Sequence, residues 1–343
     1  MSDYKTLFGK KIKFTTTDLT AGPAIEGEIF YSNAAAEFKA GIMVEAWASG
    51  ENINTARSEF AGSGTTTAGL VAGGPTPSTV SQYTEEYDGT DWTAGEAMTV
   101  PRGAFGNMAG TQTASFIVGG RPSGSPPTPF GSKATEEYDG TNWTNGGAIG
   151  SPTDFRNTNS FGTLTAGVMA GGDTSPPGPK GSAANFEYDG SSWTAGNDNN
   201  TARYNSGASG TATAGLLSSG YAQTSPSDPN KGFVGNVEEY NGSAWAEVTN
   251  VNTTRGNGAQ SGPQTSAGLY GGNTGSLTAN TELYDGSTWT ETSNMAAARK
   301  DFAGSTNVTS NIGMWGAGGY TSTFVASTEE FTIATTAKSV DTT

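Results

Sequence analysis

A chain of 343 residues with 51 glycines, 33% hydrophobic and 14% charged residues cannot assemble the leucine-rich core of a helical protein, while its seven Trp, twelve Tyr and fifteen Phe separate it from a disordered one. A formal charge of -15, with 17 Lys and Arg dispersed along the chain, argues against a nucleic-acid partner, which needs a basic stripe. The absence of Cys and His removes disulfides, thiolate nucleophiles, imidazole bases and nearly every zinc or copper site.

Residues 1–41 come first and do not repeat. Lys11-Ile12-Lys13-Phe14, Gly27-Glu28-Ile29-Phe30-Tyr31 and Glu37-Phe38-Lys39 predict three short strands, with a turn beginning at Ser32-Asn33. The start, Met1-Ser2-Asp3-Tyr4-Lys5, leads into Lys10-Lys11-Ile12-Lys13 rather than an apolar signal core, so no ordinary export signal is expected. Nowhere does an apolar run reach the roughly 18 residues that a membrane-spanning helix requires, and no membrane partner is expected.

From residue 42 to 334 the chain repeats. Tyr87-Asp88-Gly89-Thr90-Asp91-Trp92, Tyr138-Asp139-Gly140-Thr141-Asn142-Trp143, Tyr188-Asp189-Gly190-Ser191-Ser192-Trp193, Tyr240-Asn241-Gly242-Ser243-Ala244-Trp245 and Tyr284-Asp285-Gly286-Ser287-Thr288-Trp289 share one pattern. Trp47 lacks the preceding Tyr-Asp-Gly, and Glu329-Glu330-Phe331 lacks the following tryptophan, so the two ends supply one repeat between them. The anchors Trp47, Trp92, Trp143, Trp193, Trp245 and Trp289 lie 45, 51, 50, 52 and 44 residues apart. An arginine follows each: Arg57, Arg102, Arg156, Arg203, Arg255 and Arg299, after 10 residues in five copies and 13 in the third. A short apolar run then ends in Gly73-Gly74, Gly119-Gly120, Gly171-Gly172, Ser219-Gly220, Gly271-Gly272 or Gly318-Gly319.

Asp-Gly or Asn-Gly between β-favouring runs signals a hairpin, here expected as a minimal two-residue turn joining the third and fourth strands of each unit. The apolar runs suit strands buried on both faces, and the glycine pairs suit a close approach of neighbouring sheets. Residues 335–343 form a C-terminal tail outside the pattern.

This order of Trp, Arg, apolar strand, Gly-Gly, Tyr and Trp resembles the kelch repeat, whose period is about 50 residues. The resemblance implies an all-β, six-bladed propeller. The strand around Val44-Glu45-Ala46-Trp47 is expected to complete the blade whose other strands come from the C-terminal end, which closes the ring and removes the free sheet edge. It also implies that the six arginines gather near the mouth of the central channel. There they either hydrogen-bond between blades or bind a carboxylate or other anion through their planar donor fork. The tryptophans and tyrosines are expected to be structural, packing between blades. The carboxylate pairs Glu85-Glu86, Glu136-Glu137 and Glu238-Glu239 recur with the fold and so mark scaffold.

Loops after the glycine pairs vary most and share the arginine end; Pro126-Pro127, Pro176-Pro177-Gly178-Pro179, and Pro226 with Pro229 stiffen the longer ones. The stretch Glu26 to Asn33, ending in Phe38-Lys39, resembles a small hairpin of tail-fibre and other virion proteins of tailed bacteriophages, including propeller proteins of marine phages. That resemblance implies a non-enzymatic virion protein, anchored to other virion proteins through residues 1–41 and showing its propeller to a host-surface glycan or protein. A purely architectural role is the nearest rival. A carboxylate-based glycan-active enzyme requires two non-repeated carboxylates in one cleft, and Asp154, Asp198 and Asp301 are scattered. An intracellular adaptor ranks last. No catalytic residue, cofactor or metal ligand is expected; Asp side chains leave Ca²⁺ chemically open, without an EF-hand-like spacing.

Overall fold

The computed structural model describes residues 3–7, 10–15, 29–32, 37–123, 131–151, 154–174, 180–222, 232–306 and 313–339. Its elements are all strands, and the chain divides into two compact units, Trp47–Phe331 and Met1–Ala46 with Thr332–Thr343.

The larger unit is a six-bladed propeller. Blade one consists of Ala61–Thr65, Ala68–Ala72, Thr84–Tyr87 and Trp92–Gly95, paired antiparallel in that order. Blade two repeats the plan with Ala109–Thr111, Ala114–Val118, Thr135–Tyr138 and Trp143–Asn145, and blade three with Asn159–Thr163, Ala166–Ala170, Asn185–Tyr188 and Trp193–Ala195. Blade four uses Gly207–Thr211, Ala214–Ser218, Val237–Tyr240 and Trp245–Val248, and blade five Ala259–Ser261, Ala267–Tyr270, Thr281–Tyr284 and Trp289–Glu291. In blade six Ala303–Gly304, Met314–Ala317 and Thr328–Ser339 are followed in space by Glu37–Gly50, from the other end of the sequence. The first strand of each blade touches the first strands of both neighbours, and that of blade six touches that of blade one, so the ring is closed.

Trp47 is the residue that makes the closing strand equivalent to the fourth strands elsewhere. Its ring lies 5.3 Å from Phe331, as each other anchor tryptophan lies 4.7 to 5.0 Å from the tyrosine that precedes it. Its indole N–H donates to Thr281 of blade five at 2.9 Å, repeating Trp143 to Thr84 and Trp193 to Thr135.

The hairpin between third and fourth strands is longer than the two-residue turn expected. Tyr87 pairs with Trp92, leaving four residues, and only the glycine of Asp-Gly takes a positive φ, 96° at Gly89. The aspartate acts through its side chain instead: Asp88 Oδ1 accepts the N–H groups of Thr90 and Asp91, both at 2.8 Å. Asp139, Asp189, Asn241 and Asp285 do the same, so the carboxylate or amide folds the turn that a mirror-image backbone would otherwise have to make.

The core is divided into wedges between neighbouring blades. One wedge joins Leu70 and Ala72 of blade one to Ile117, Tyr138 and Trp143 of blade two; another joins Val71, Tyr87 and Trp92 to Ala303, Trp315 and Ala317 of blade six. Trp315, the tryptophan outside the repeat, is fully buried, and its N–H donates to the Thr65 carbonyl at 3.0 Å. It fits because Gly62 and Gly69 carry no side chain: a Cβ there would stand 2.9 and 3.2 Å from the indole.

In the smaller unit Asp3–Leu7 pairs antiparallel with Lys10–Thr15, which runs parallel to Ile29–Ser32; that strand in turn pairs antiparallel with the start of Glu37–Gly50. The three expected strands are present, with Asp3–Leu7 as a fourth that the sequence did not announce. The last strand runs on to Ser339, beyond the boundary at 334. The expected turn at Asn33 and the loop prolines 126, 127, 176, 177, 179, 226 and 229 lie outside the described residues.

Candidate functional site

Strand direction puts the arginines and the connections after Gly-Gly at one end of the propeller, and the arginines are not open to ligand there. Arg57, Arg102, Arg203, Arg255 and Arg299 are all fully buried. Each pairs within its own blade with the first glutamate of the third strand: Arg57 with Glu85 at 3.0 Å, Arg102 with Glu136 at 2.6 Å, and Arg203, Arg255 and Arg299 with Glu238, Glu282 and Glu329. The guanidinium also donates to loop carbonyls, for Arg102 those of Gly119 and Ala134 at 2.7 and 3.1 Å. Backbone N–H groups complete the carboxylates, with Asn54 on Glu85, Asn252 on Glu282 and Ala296 on Glu329. Burial lowers these arginines from their ordinary range, Arg57 to about 10, against the opposing pull of its glutamate.

The arginine backbones tie blade to blade. In five of the six pairs the second glycine donates its N–H to the arginine carbonyl of the next blade: Gly74 to Arg102, Gly172 to Arg203, Gly220 to Arg255, Gly272 to Arg299 and Gly319 to Arg57, at 2.7 to 2.9 Å. A Cβ on Gly73 would meet the Arg102 carbonyl at 2.8 Å, which is the close approach these glycines permit. Of the two roles open to these residues, hydrogen bonding within the scaffold and anion binding, the five buried guanidinium groups are engaged in the first.

Arg156 is the exception, and its register corrects the sequence alignment. The residue two after each arginine has a left-handed φ: Glu59, Ala104, Asn205, Asn257 and Asp301. In blade three the matching residue is Asn157, so the structural equivalent of the arginines is Phe155. Phe186 stands where the other blades have the buried glutamate, and the two rings meet at 5.9 Å. Arg156 instead pairs with Asp173 at 2.8 Å and is part-exposed.

The second glutamate of the third strand serves the interface. The hydroxyls of Tyr87, Tyr138, Tyr188 and Tyr240 donate to Glu330, Glu86, Glu137 and Glu187 of the preceding blade, and Tyr284 donates to Glu239 at 3.1 Å. Between blades five and six both partners change together, to Leu283 and Phe331.

What faces the axial opening is the column of left-handed residues. Their backbones form a hydrogen-bonded annulus: Glu59 N–H to Asp301, Asn157 to Ala104, Asn257 to Asn205 and Asp301 to Asn257. Deeper in, Asn107 reaches across to the Ala208 carbonyl at 2.8 Å and Thr306 to that of Met108 at 3.0 Å. The cavity left among Glu59, Asn107, Asn205, Asn257 and Asp301 is about 20 Å³, room for a water molecule and not for a sugar ring. Burial, and then the charge of Asp301, raises Glu59; burial raises Asp301, whose carboxylate accepts the Asn257 amide at 2.5 Å. Sequence reading named Asp301 without its partner Glu59, although the two share one column, two residues beyond an arginine. Asp154 and Asp198 lie outside this cavity.

Aromatic side chains populate the surrounding loops. Tyr83 and Tyr320 are exposed, Tyr320 packs against Phe324 and beside Lys300, and Tyr221 lies between Tyr204 and Phe233. Among the described residues no three acidic side chains come together as a metal site would need.

No protein-family model matches the chain, and no curated protein matches it in sequence. Among solved structures, that of YjhT aligns with a TM-score of 0.63 and 12% identity, over 84% of this chain and 96% of the other. That likeness is one of fold, and with the closed ring of blades it shows the chain to be a six-bladed β-propeller.

Proposed function

We propose that this protein is a non-enzymatic recognition module of a bacteriophage particle, held by its N-terminal segment and offering the arginine end of the propeller to a host surface. The observation that carries the reading is the division of labour among the residues. Groups repeated in nearly every blade, the arginines, both sets of glutamates, the tyrosines and the tryptophans, are engaged with one another. Diversity is left to the loops after the glycine pairs, where length and aromatic content differ from blade to blade, as expected of recognition elements on a rigid scaffold. Membership of a particle is supported by the phage-like hairpin of the N-terminal segment and by a Gly, Thr, Ser and Asn-rich chain without Cys or His.

A structure of the assembled particle tests this. Residues 1–41 packed on neighbouring subunits, with the loop end outward, is the expected result; a loop end buried against neighbours would make the propeller architectural.

One observation favours an enzymatic reading: Glu59 and Asp301, carboxylates that their column does not repeat, share the axial cavity and are both raised. Its size requires any sugar to sit outside, with only a water between the carboxylates. Hydrolysis of nitrophenyl glycosides by the intact chain, abolished by Glu59→Gln, would displace the binding reading.

A further inference from the structure

Repetition gives an internal control for every position, so a feature built in one blade alone stands out. In the pairing of third and fourth strands, the residue opposite the buried glutamate is Asn145 in blade two, Glu247 in blade four and Glu291 in blade five, all side chains long enough to cover the strand. In blade one it is Ala94, opposite Glu85, and blade three likewise has Ala195, opposite Phe186. The residue just before the third strand is Ala134, Ala184, Asn236, Asn280 or Ser327 in five blades, and in blade one it is Tyr83. Blade one is the blade that combines a small residue on the fourth strand with an aromatic wall beside the gap, since in blade three the residue before the third strand is Ala184.

The result is a half-open groove of about 230 Å³, with Tyr83 on one side, Ala94 and Ala97 on the floor, and Asn54 and Thr55 at the rim. Tyr83 is 50% exposed, unlike the repeat tyrosines, which are buried. Glu85 lies beneath but its charge is matched by Arg57 at 3.0 Å and by the Asn54 N–H groups, so the floor carries no net charge. Among the described residues, Asn54 Oδ1 and the Thr55 and Tyr83 hydroxyls take part in none of the side-chain hydrogen bonds that hold the blade, where Asn54 acts through its N–H groups and Tyr83 through its carbonyl.

We infer that this groove is a subsite for one neutral pyranose unit of a glycan. An exposed phenol ring offers a flat face to the C–H face of a sugar, and three uncommitted polar groups at the edge of an apolar floor match its hydroxyls. The volume suits a single ring. The neutral floor, in a chain of net charge -15, turns away acidic sugars. This inference deepens the recognition reading and rests on it for the source of the glycan.

The test uses the full chain, with saturation-transfer NMR and calorimetry against methyl β-galactopyranoside, methyl β-glucopyranoside and, as an apolar control, N-acetylphenylalaninamide. One glycoside is expected to bind in roughly the millimolar range, as a single sugar does. Tyr83→Ala and Ala94→Gln are each expected to weaken it about tenfold or more, with melting temperatures unchanged. Ala94→Gln is a fold-compatible plug, because three other blades carry Asn or Glu at that position. No binding by either glycoside, equal binding by both variants, or binding of the amide alone would overturn the subsite. Adsorption of the labelled chain to bacterial cells separates the two levels: equal adsorption by wild type and variants removes the groove and keeps recognition. Groove binding without adsorption to any host keeps the groove and removes recognition.

Discussion

Phe155 and Phe186 meet nearly edge to face, 5.9 Å between ring centroids, at the two positions that hold a buried arginine and a buried glutamate in the other five blades. The propeller thus contains both solutions to one packing problem. A buried ion pair can be exchanged for apolar groups at little cost when both partners change, whereas loss of one strands the other charge. The same rule governs the junction of blades five and six, where Leu283 and Phe331 together replace Glu and Tyr.

Arg203→Met is expected to cost about 3–5 kcal/mol in urea unfolding, because Glu238 is left buried and unpaired. Arg203→Phe combined with Glu238→Phe is expected to recover much of that. The Asn200 and Thr201 N–H groups that Glu238 accepts account for the remaining deficit. A double variant as unstable as the sum of its single ones would contradict the exchange.

Phe331→Tyr places a phenol toward an interface that lacks its acceptor. It is expected to destabilise the propeller by about 1–3 kcal/mol, the cost of an unsatisfied buried group. Leu283→Glu added to it rebuilds the pair found in the other interfaces, so the two changes are expected to couple favourably in a double-mutant cycle.

Tyr188 and Tyr240 are pushed up to about 12, first by burial and then by the carboxylates of Glu137 and Glu187. A phenol raised from its ordinary value of 10.0 contributes stability that is complete below that value and is lost as pH climbs through the folded one. The propeller is expected to weaken between pH 10 and about 12. Absorbance of tyrosinate should rise late and together with loss of the near-ultraviolet circular dichroism signal; early titration of all twelve tyrosines in a folded chain would refute it.

At the acid end Asp88 is pushed down to about 2 by the Thr90 hydroxyl first, then by the N–H groups of Asp91 and Thr90. Its contribution is present above the ordinary value of 3.8 and is lost as pH falls through the folded one. Carboxyl carbon shifts should report that low midpoint. Asp88→Asn, which copies Asn241 of blade four, is expected to keep the turn and remove its acid dependence.

The blade count, the strand order within a blade and the shared repeat of the two chain ends were legible because each rests on local patterns copied six times. Trp315 was not, since it lies off the repeat and owes its place to Gly62 and Gly69, far away in sequence. Arg156 misled for a related reason. A longer connection in blade three leaves an arginine one residue from the anchor column, and only the left-handed backbone at Asn157 shows which residue is in register. The six arginines were legible as a set, but the role of five of them turned on glutamates that come 27 to 35 residues later.

By itself the sequence determined the architecture, because Tyr-Asp-Gly, Trp, Arg and Gly-Gly recur in one fixed order, and several weak patterns in phase add to one strong one. Tertiary structure alone decided which side chains stay available. An arginine beside a channel is a ligand site if it faces solvent and a girder if a carboxylate lies beneath it. That difference is set by contacts across strands, as is the gap that Ala94 leaves beside Tyr83.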